Sequence, residues 1–130
     1  MEIKFELSGR IPSKKNSKQI RRRGRYGRPY VASSDRYLSW EKTAALQIDC
    51  QKDGWMNLPV QKCESITIDA VFGDLRTKDL DNLAGSILDL MVSCKLILSD
   101  DWKTAGSLIV NPLYKKGING ALITIKTAVK

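Results

Sequence analysis

The sequence predicts an α+β fold, a small mixed sheet with two main helices packed on it in the order β-loop-α-β-α-β-β. Three observations carry this. Apolar side chains alternate with polar ones near the start, in the middle and near the end of the chain, as in half-buried strands. Two intervening stretches carry apolar residues at helical spacing. Turn-forming pairs such as Asp53-Gly54 and Asn119-Gly120 punctuate them. The 130 residues suit one domain, 1–130, without an internal repeat.

Residues 2–9 read as a strand, with Ile3, Phe5 and Leu7 on one face. Residues 10–28 form a basic loop whose core, 18–28, reads KQIRRRGRYGR. With so few apolar side chains that core cannot bury itself and is expected to be mobile without a ligand. Residues 30–32 suggest a short strand. Ser33 or Ser34 can cap a helix running to about Gln51, on which Tyr37, Trp40, Ala44 and Ile48 share a face. Residues 65–72 alternate again. A second helix is expected over 81–94, with Leu80, Leu83, Ile87, Leu90 and Met91 forming its apolar side. Residues 105–110 and 121–127 read as the last strands, joined by a loop holding the turn signals Asn111-Pro112 and Asn119-Gly120.

Charge and composition narrow the chemistry. Residues 1–45 hold 12 Lys/Arg against 4 Asp/Glu, whereas residues 46–130 hold 10 of each. All of the net +8 therefore lies in the first third, which points to a polyanionic partner. There is no histidine, which removes Ser-His-Asp triads, Cys-His pairs and histidine zinc sites. Three cysteines, Cys50, Cys63 and Cys94, without a CxxC argue against a disulfide framework or a structural zinc. No apolar run approaches the roughly 20 residues that span a bilayer. The N-terminal stretch MEIKFELSG lacks the apolar core of a signal peptide, so a cytoplasmic protein without membrane contact is expected.

The acids are the informative residues: Lys78-Asp79-Leu80-Asp81-Asn82-Leu83, then Asp89, then Asp100-Asp101. Positions i and i+2 do not share a helix face. Asp79 and Asp81 converge only if Asp79 lies in an extended segment entering the helix. Asp81, Gly85 and Asp89, four apart, stack on one face. If the segment 97–101 returns alongside, Asp100 or Asp101 joins them. Such acids would repel and raise one another's pKa. A hard cation such as Mg²⁺ relieves this and, beside a phosphodiester, activates water without any histidine. The alternative is structural: Asp79 or Asp81 caps the helix and Asp100-Asp101 makes a turn. An EF-hand fits poorly, because Leu83 occupies its next ligand position.

Three segments together resemble the RusA family of Holliday junction resolvases (crossover junction endodeoxyribonucleases) of bacteria and prophages. They are Ile11-Pro12-Ser13-Lys14-Lys15-Asn16 with its basic loop, Asp79-Leu80-Asp81-Asn82-Leu83 with Ile87-Leu88-Asp89-Leu90, and Ile97-Leu98-Ser99-Asp100-Asp101. They span nearly the whole chain. The resemblance implies a symmetric homodimer that binds four-way junction DNA and makes paired symmetric nicks with Mg²⁺, with Mn²⁺ as a substitute. It implies Asp79, Asp81 and Asp101 as catalytic metal ligands, with Asp101 ahead of Asp100. Lys14, Lys15, Asn16, Lys18, Arg21, Arg22, Arg23, Arg25 and Arg28 are the expected DNA-binding residues, mostly through phosphates. The family's lysine one turn after the second aspartate is replaced here by Gly85, leaving Lys78, Lys103 or a loop residue as substitutes. A branched-DNA-binding protein with a weakened active site is the alternative function. Trp55, Trp102 and Tyr114 are candidate interface residues.

Overall fold

The alternating apolar residues place the core on one side of a four-stranded sheet. The computed structural model describes residues 2–12, 18–22, 29–33, 35–76 and 78–128. The elements are β1 (Glu2–Ser8), β2 (Lys18–Arg22), β3 (Pro29–Ser33), α1 (Asp35–Gln51), β4 (Cys63–Phe72), α2 (Leu80–Ser93), α3 (Trp102–Ala105), β5 (Ser107–Tyr114) and β6 (Gly120–Thr127). The main sheet has the order β1-β6-β4-β5. β6 pairs antiparallel with both β1 and β4, while β4 and β5 run parallel. A parallel pair needs a long crossover, and the segment carrying α2 and α3 supplies it.

Ile3, Phe5 and Leu7 of β1, Ala121, Ile123 and Ile125 of β6, and Ile66, Ile68 and Ala70 of β4 are all buried. In α2, Leu83, Ala84, Ile87, Leu90 and Met91 bury the other half of this core, and α1 adds Ala44 and Ile48. Burying each large aliphatic side chain stabilises by about 1.5–3 kcal/mol, so the α2 stripe is the largest helical contribution. The mixed α+β class and the helices on the sheet agree with the sequence reading. The short α3 was not expected; four residues are too few to show a period.

The two edges of the sheet differ. On β1, Gln51 acts as a substitute strand: its Oε1 accepts from Glu6 N at 2.8 Å and its Nε2 donates to Glu6 O at 2.7 Å. Gln47 Oε1 accepts from Ser8 N at 2.9 Å. On β5, among the described residues, no strand pairs with the outer edge, and Leu108, Ile109, Leu113 and Tyr114 are exposed. The expected turn at Asn111-Pro112 is absent. Both residues lie inside β5, opposite Asp69 and Ala70. Proline is tolerated there because β5 is an edge strand, where a missing N–H costs least.

Part of the basic loop is also ordered differently from the expectation. Lys18–Arg22 is a strand paired antiparallel with Pro29–Ser33, with Ile20 opposite Val31. Pairing with β3 satisfies the backbone N–H and C=O groups that a loop would leave to water.

Candidate functional site: a carboxylate and cation cleft

α2 begins where β4 has ended, and Asp79 is its N-cap, with φ −92° and ψ 105°. This is the extended entry that the spacing required. Asn82 holds the carboxylate at both oxygens, its backbone N donating to Oδ1 at 3.2 Å and its Nδ2 to Oδ2 at 2.9 Å. Asp81 follows in the first helical turn and is exposed. Both acids lie at the positive end of the α2 dipole, which favours negative charge.

Asp79 lines a cleft of about 290 Å³. Its walls come from the exit of β1 (Gly9, Arg10, Ile11, Pro12), the end of β4 (Val71, Phe72), the start of β6 (Asn119, Gly120) and the start of α2. Arg10, Arg36 and Lys78 bring positive charge to it. Ser86, buried on α2, donates to Pro12 O at 2.7 Å. That bond ties the departure point of the basic segment to the helix that starts at Asp79.

Next to the cleft, Asp74 collects three cations. Its Oδ2 accepts from Arg10 Nη2 and from Arg76 Nη2, each at 3.1 Å, and its Oδ1 from Lys78 Nζ at 2.7 Å and Arg76 N at 2.9 Å. Hydrogen bonds from Arg76 and Lys78 hold its carboxyl well below the usual carboxylate range.

Asp101 lies elsewhere. It is the N-cap of α3, its Oδ1 accepting from Lys103 N at 3.0 Å and Thr104 N at 3.1 Å. The Thr104 bond is the main reason its carboxyl is shifted down. α3 leads through Gly106 into β5, whose first residue, Ser107, pairs with Ser65 near the beginning of β4. Gly106 has φ +69° and a Cβ there would sit 2.4 Å from Cys63 O, so only glycine fits. Asp101 is therefore at the Cys63 end of β4 and Asp79 at the Phe72 end. The 14 residues of α2, roughly 20 Å of helix, run between them.

The expectation that the 97–101 segment returns to the start of α2 is corrected by this geometry. Ile97 forms a parallel bridge to Val60, which fixes the segment at the far end. Among the described residues no group of three or more acids, cysteines or histidines is close enough to hold a metal ion. Asp79, in the cleft lining, and Asp81, two residues on in the first turn of α2, are hard oxygen donors of a kind that suits Mg²⁺; among the described residues no third acid joins them in a metal-holding group. Asp100 stays beside Asp101, exposed.

Of the two lysines that the sequence reading set against Gly85, Lys78 lines the cleft with Asp79, whereas Lys103 lies over the Trp102 ring, 5.8 Å from its centroid, at the Asp101 end. A Cβ on Gly85 would meet nothing within 4 Å. Lys18, Arg21 and Arg22 fall in β2; Lys14, Lys15, Asn16, Arg23, Arg25 and Arg28 lie outside the described residues. Of the interface candidates, Trp55 packs on Phe5 with ring centroids 5.9 Å apart, while Trp102 is 77 % exposed and Tyr114 46 %.

Sequence reasoning missed Arg10, Arg36, Asp74, Arg76 and Asn119. The run Asp74–Lys78, with three charges flanking the Asp79 motif, was a usable signal. The Arg10 contact was not, since it joins residues 64 positions apart.

Fold and site together define a class: an α+β protein with a capped carboxylate at the mouth of a cationic cleft. The chain matches no family model, and no curated protein matches it. No helix among the described residues is long and apolar enough to cross a membrane.

Proposed function

We propose that the chain is a magnesium-dependent endonuclease that cuts branched DNA, resolving four-way junctions by paired nicks as a two-fold homodimer. The observation that carries this reading is Asp79, a carboxylate fixed by Asn82 at the mouth of a cleft walled by Arg10, Arg36 and Lys78. Acids beside a polyanion are unfavourable unless a cation joins them, and the surrounding positive charge brings phosphate to that place. Asp79 and Asp81, with Asp101, would hold Mg²⁺, or Mn²⁺ in its place. The bound ion would supply an activated water and charge stabilisation at the leaving oxygen. Lys78 neutralises phosphate charge at the cleft in place of the lysine that Gly85 does not provide.

The separation of Asp79 and Asp101 within a protomer gives the dimer a chemical purpose. A two-fold axis lying just outside the edge of β5, level with its middle and perpendicular to the sheet, would set the Cys63 end of one sheet beside the Phe72 end of the other. Asp101 of the partner subunit then approaches Asp79 and Asp81. The surface for such a contact is apolar at both ends: Leu98, Trp102 and Leu108 near Asp101, and Leu113, Tyr114 and Ile118 near the cleft, all exposed. The two-fold matches the pseudo-symmetry of a four-way junction and yields two equivalent cuts.

A second reading, a branched-DNA-binding protein without cleavage, is favoured by one observation. Asp79 and Asp101 each serve as helix caps, a structural role that needs no metal. A labelled four-way junction incubated with Mg²⁺ or with EDTA separates the two. Symmetric nicks that require Mg²⁺ support the nuclease; binding without nicks supports the second reading.

A further inference from the structure

Asp74 sits between β4 and α2 and is one carboxylate serving three cations from two parts of the chain. Arg10 arrives from the exit of β1, Arg76 and Lys78 from the connection into α2. Three positive charges against one negative leave an excess of two. They do not exhaust their donors on Asp74: each guanidinium offers five N–H groups and the ammonium three. The side chains of Arg10 and Arg76 are 53 % and 68 % exposed, so the remaining donors face solvent. Arg10 and Lys78 line the same cleft as Asp79.

We propose that Asp74 is a positioning residue that gathers Arg10, Arg76 and Lys78 into a phosphate-binding wall, so that the Asp79 cleft receives a backbone phosphate of nucleic acid. The proposal rests on the nuclease reading above and assigns the group that seats its substrate. Three cations this close repel, and on their own they spread apart and sample many rotamers. The carboxylate cancels part of that repulsion and fixes their direction. Hydrogen bonds from Arg76 and Lys78 keep Asp74 ionised throughout the neutral range. Forked guanidinium donors and a point-charge ammonium suit an anionic oxygen rather than a neutral base, and on the nuclease reading that anion is the phosphodiester seated beside Asp79.

The sign of one substitution tests this. If Asp74 mattered only through its charge, Asp74→Asn would tighten binding to DNA. A positioning role demands the reverse. The measurement is fluorescence anisotropy of a labelled four-way junction in EDTA, over a range of salt, so that cleavage plays no part. Asp74→Asn is expected to weaken binding roughly three- to tenfold and to lower the slope of log K against log salt by about 0.9 for each phosphate lost. Asp53→Asn, an exposed acid away from the cleft, removes the same charge and is expected to leave binding equal or tighter. Added to Lys78→Gln, Asp74→Asn should have a smaller effect than alone, since part of its target is gone. Undiminished binding by folded Asp74→Asn overturns the proposal. If that variant does not fold, Arg10→Gln and Lys78→Gln decide: both must lower the slope, and an unchanged slope in both overturns it. A wild-type chain that binds no junction at all overturns the nuclease reading instead, which keeps the two failures apart. Competition by inorganic phosphate at millimolar concentration, without a preference for DNA, also counts against a nucleic-acid site.

Discussion

Asn82 is the residue that makes Asp79 more than a cap. Its backbone and its amide together occupy one position on each carboxylate oxygen, leaving further lone pairs directed away from the helix. Asparagine caps nearly as well as aspartate but loses the charge at the helix N-terminus and the bond from Asn82 Nδ2, so Asp79→Asn is expected to lower stability by less than about 1 kcal/mol while abolishing Mg²⁺-dependent nicking and sparing junction binding. Asp79→Ala removes the cap as well and should cost about 1 kcal/mol by denaturant unfolding. Mutual repulsion of close acids, as the spacing of Asp79, Asp81 and Asp101 by itself suggests, would make Asn at Asp79 stabilising. Among the described residues no such cluster forms, so no gain is expected. Asp74 gives a pH dependence. Its folded pKa is depressed, so its contribution to stability is complete above the unfolded value of about 4 and is lost as pH falls through the lower folded value. The stability difference between wild type and Asp74→Asn should therefore be constant near neutral pH and shrink below about pH 4, read by unfolding curves at stepped pH.

At the scale of elements, β1, β4, β6 and α2 were legible because each buries one face and its sequence period says which. Ile3, Phe5 and Leu7 show it over seven residues. β2 was not legible: Lys18–Arg22 has a single apolar residue, and only its partner strand Pro29–Ser33, paired from Arg22 opposite Pro29 to Lys18 opposite Ser33, makes it a strand. Asn111-Pro112 misled because local turn chemistry cannot tell an edge strand from a loop. The extended entry of Asp79 into α2 was legible from the i, i+2 spacing, but the position of Asp101 was not, since it depended on which end of the sheet Ile97 reached. In α2, Gly85 points into open space. Gly85→Ala should raise helix stability by about 1 kcal/mol without a change in cleavage rate. Gly85→Lys should add a faster single-turnover rate, because only it brings charge one turn from Asp81. Equal rates for the two variants would show that Lys78 already fills this role or that the face does not look onto the metal. For the ribbon of β2 and β3, replacing Arg21 and Arg22 by alanine should lower the salt dependence of binding on all DNA shapes alike. An unchanged slope would mean that the ribbon does not touch the backbone.

At the scale of the molecule, the asymmetry of the sheet edges organises the account. The β1 edge is closed by Gln47 and Gln51, and the β5 edge carries exposed apolar side chains between the two ends that hold the acids. On the proposed reading, a nuclease assembled across β5 would be active only as a dimer, each site taking Asp79 from one protomer and Asp101 from the other. Complementation tests that claim most directly. Asp79→Asn and Asp101→Asn homodimers, each inactive, are mixed under conditions of verified subunit exchange and assayed on a labelled junction with Mg²⁺. In the mixed dimer one site carries both substitutions and the other neither. Nicking is expected to return, at up to about a quarter of the wild-type number of sites, mostly as single nicks. A mixture as inactive as its parents, with exchange demonstrated, contradicts a site shared between protomers.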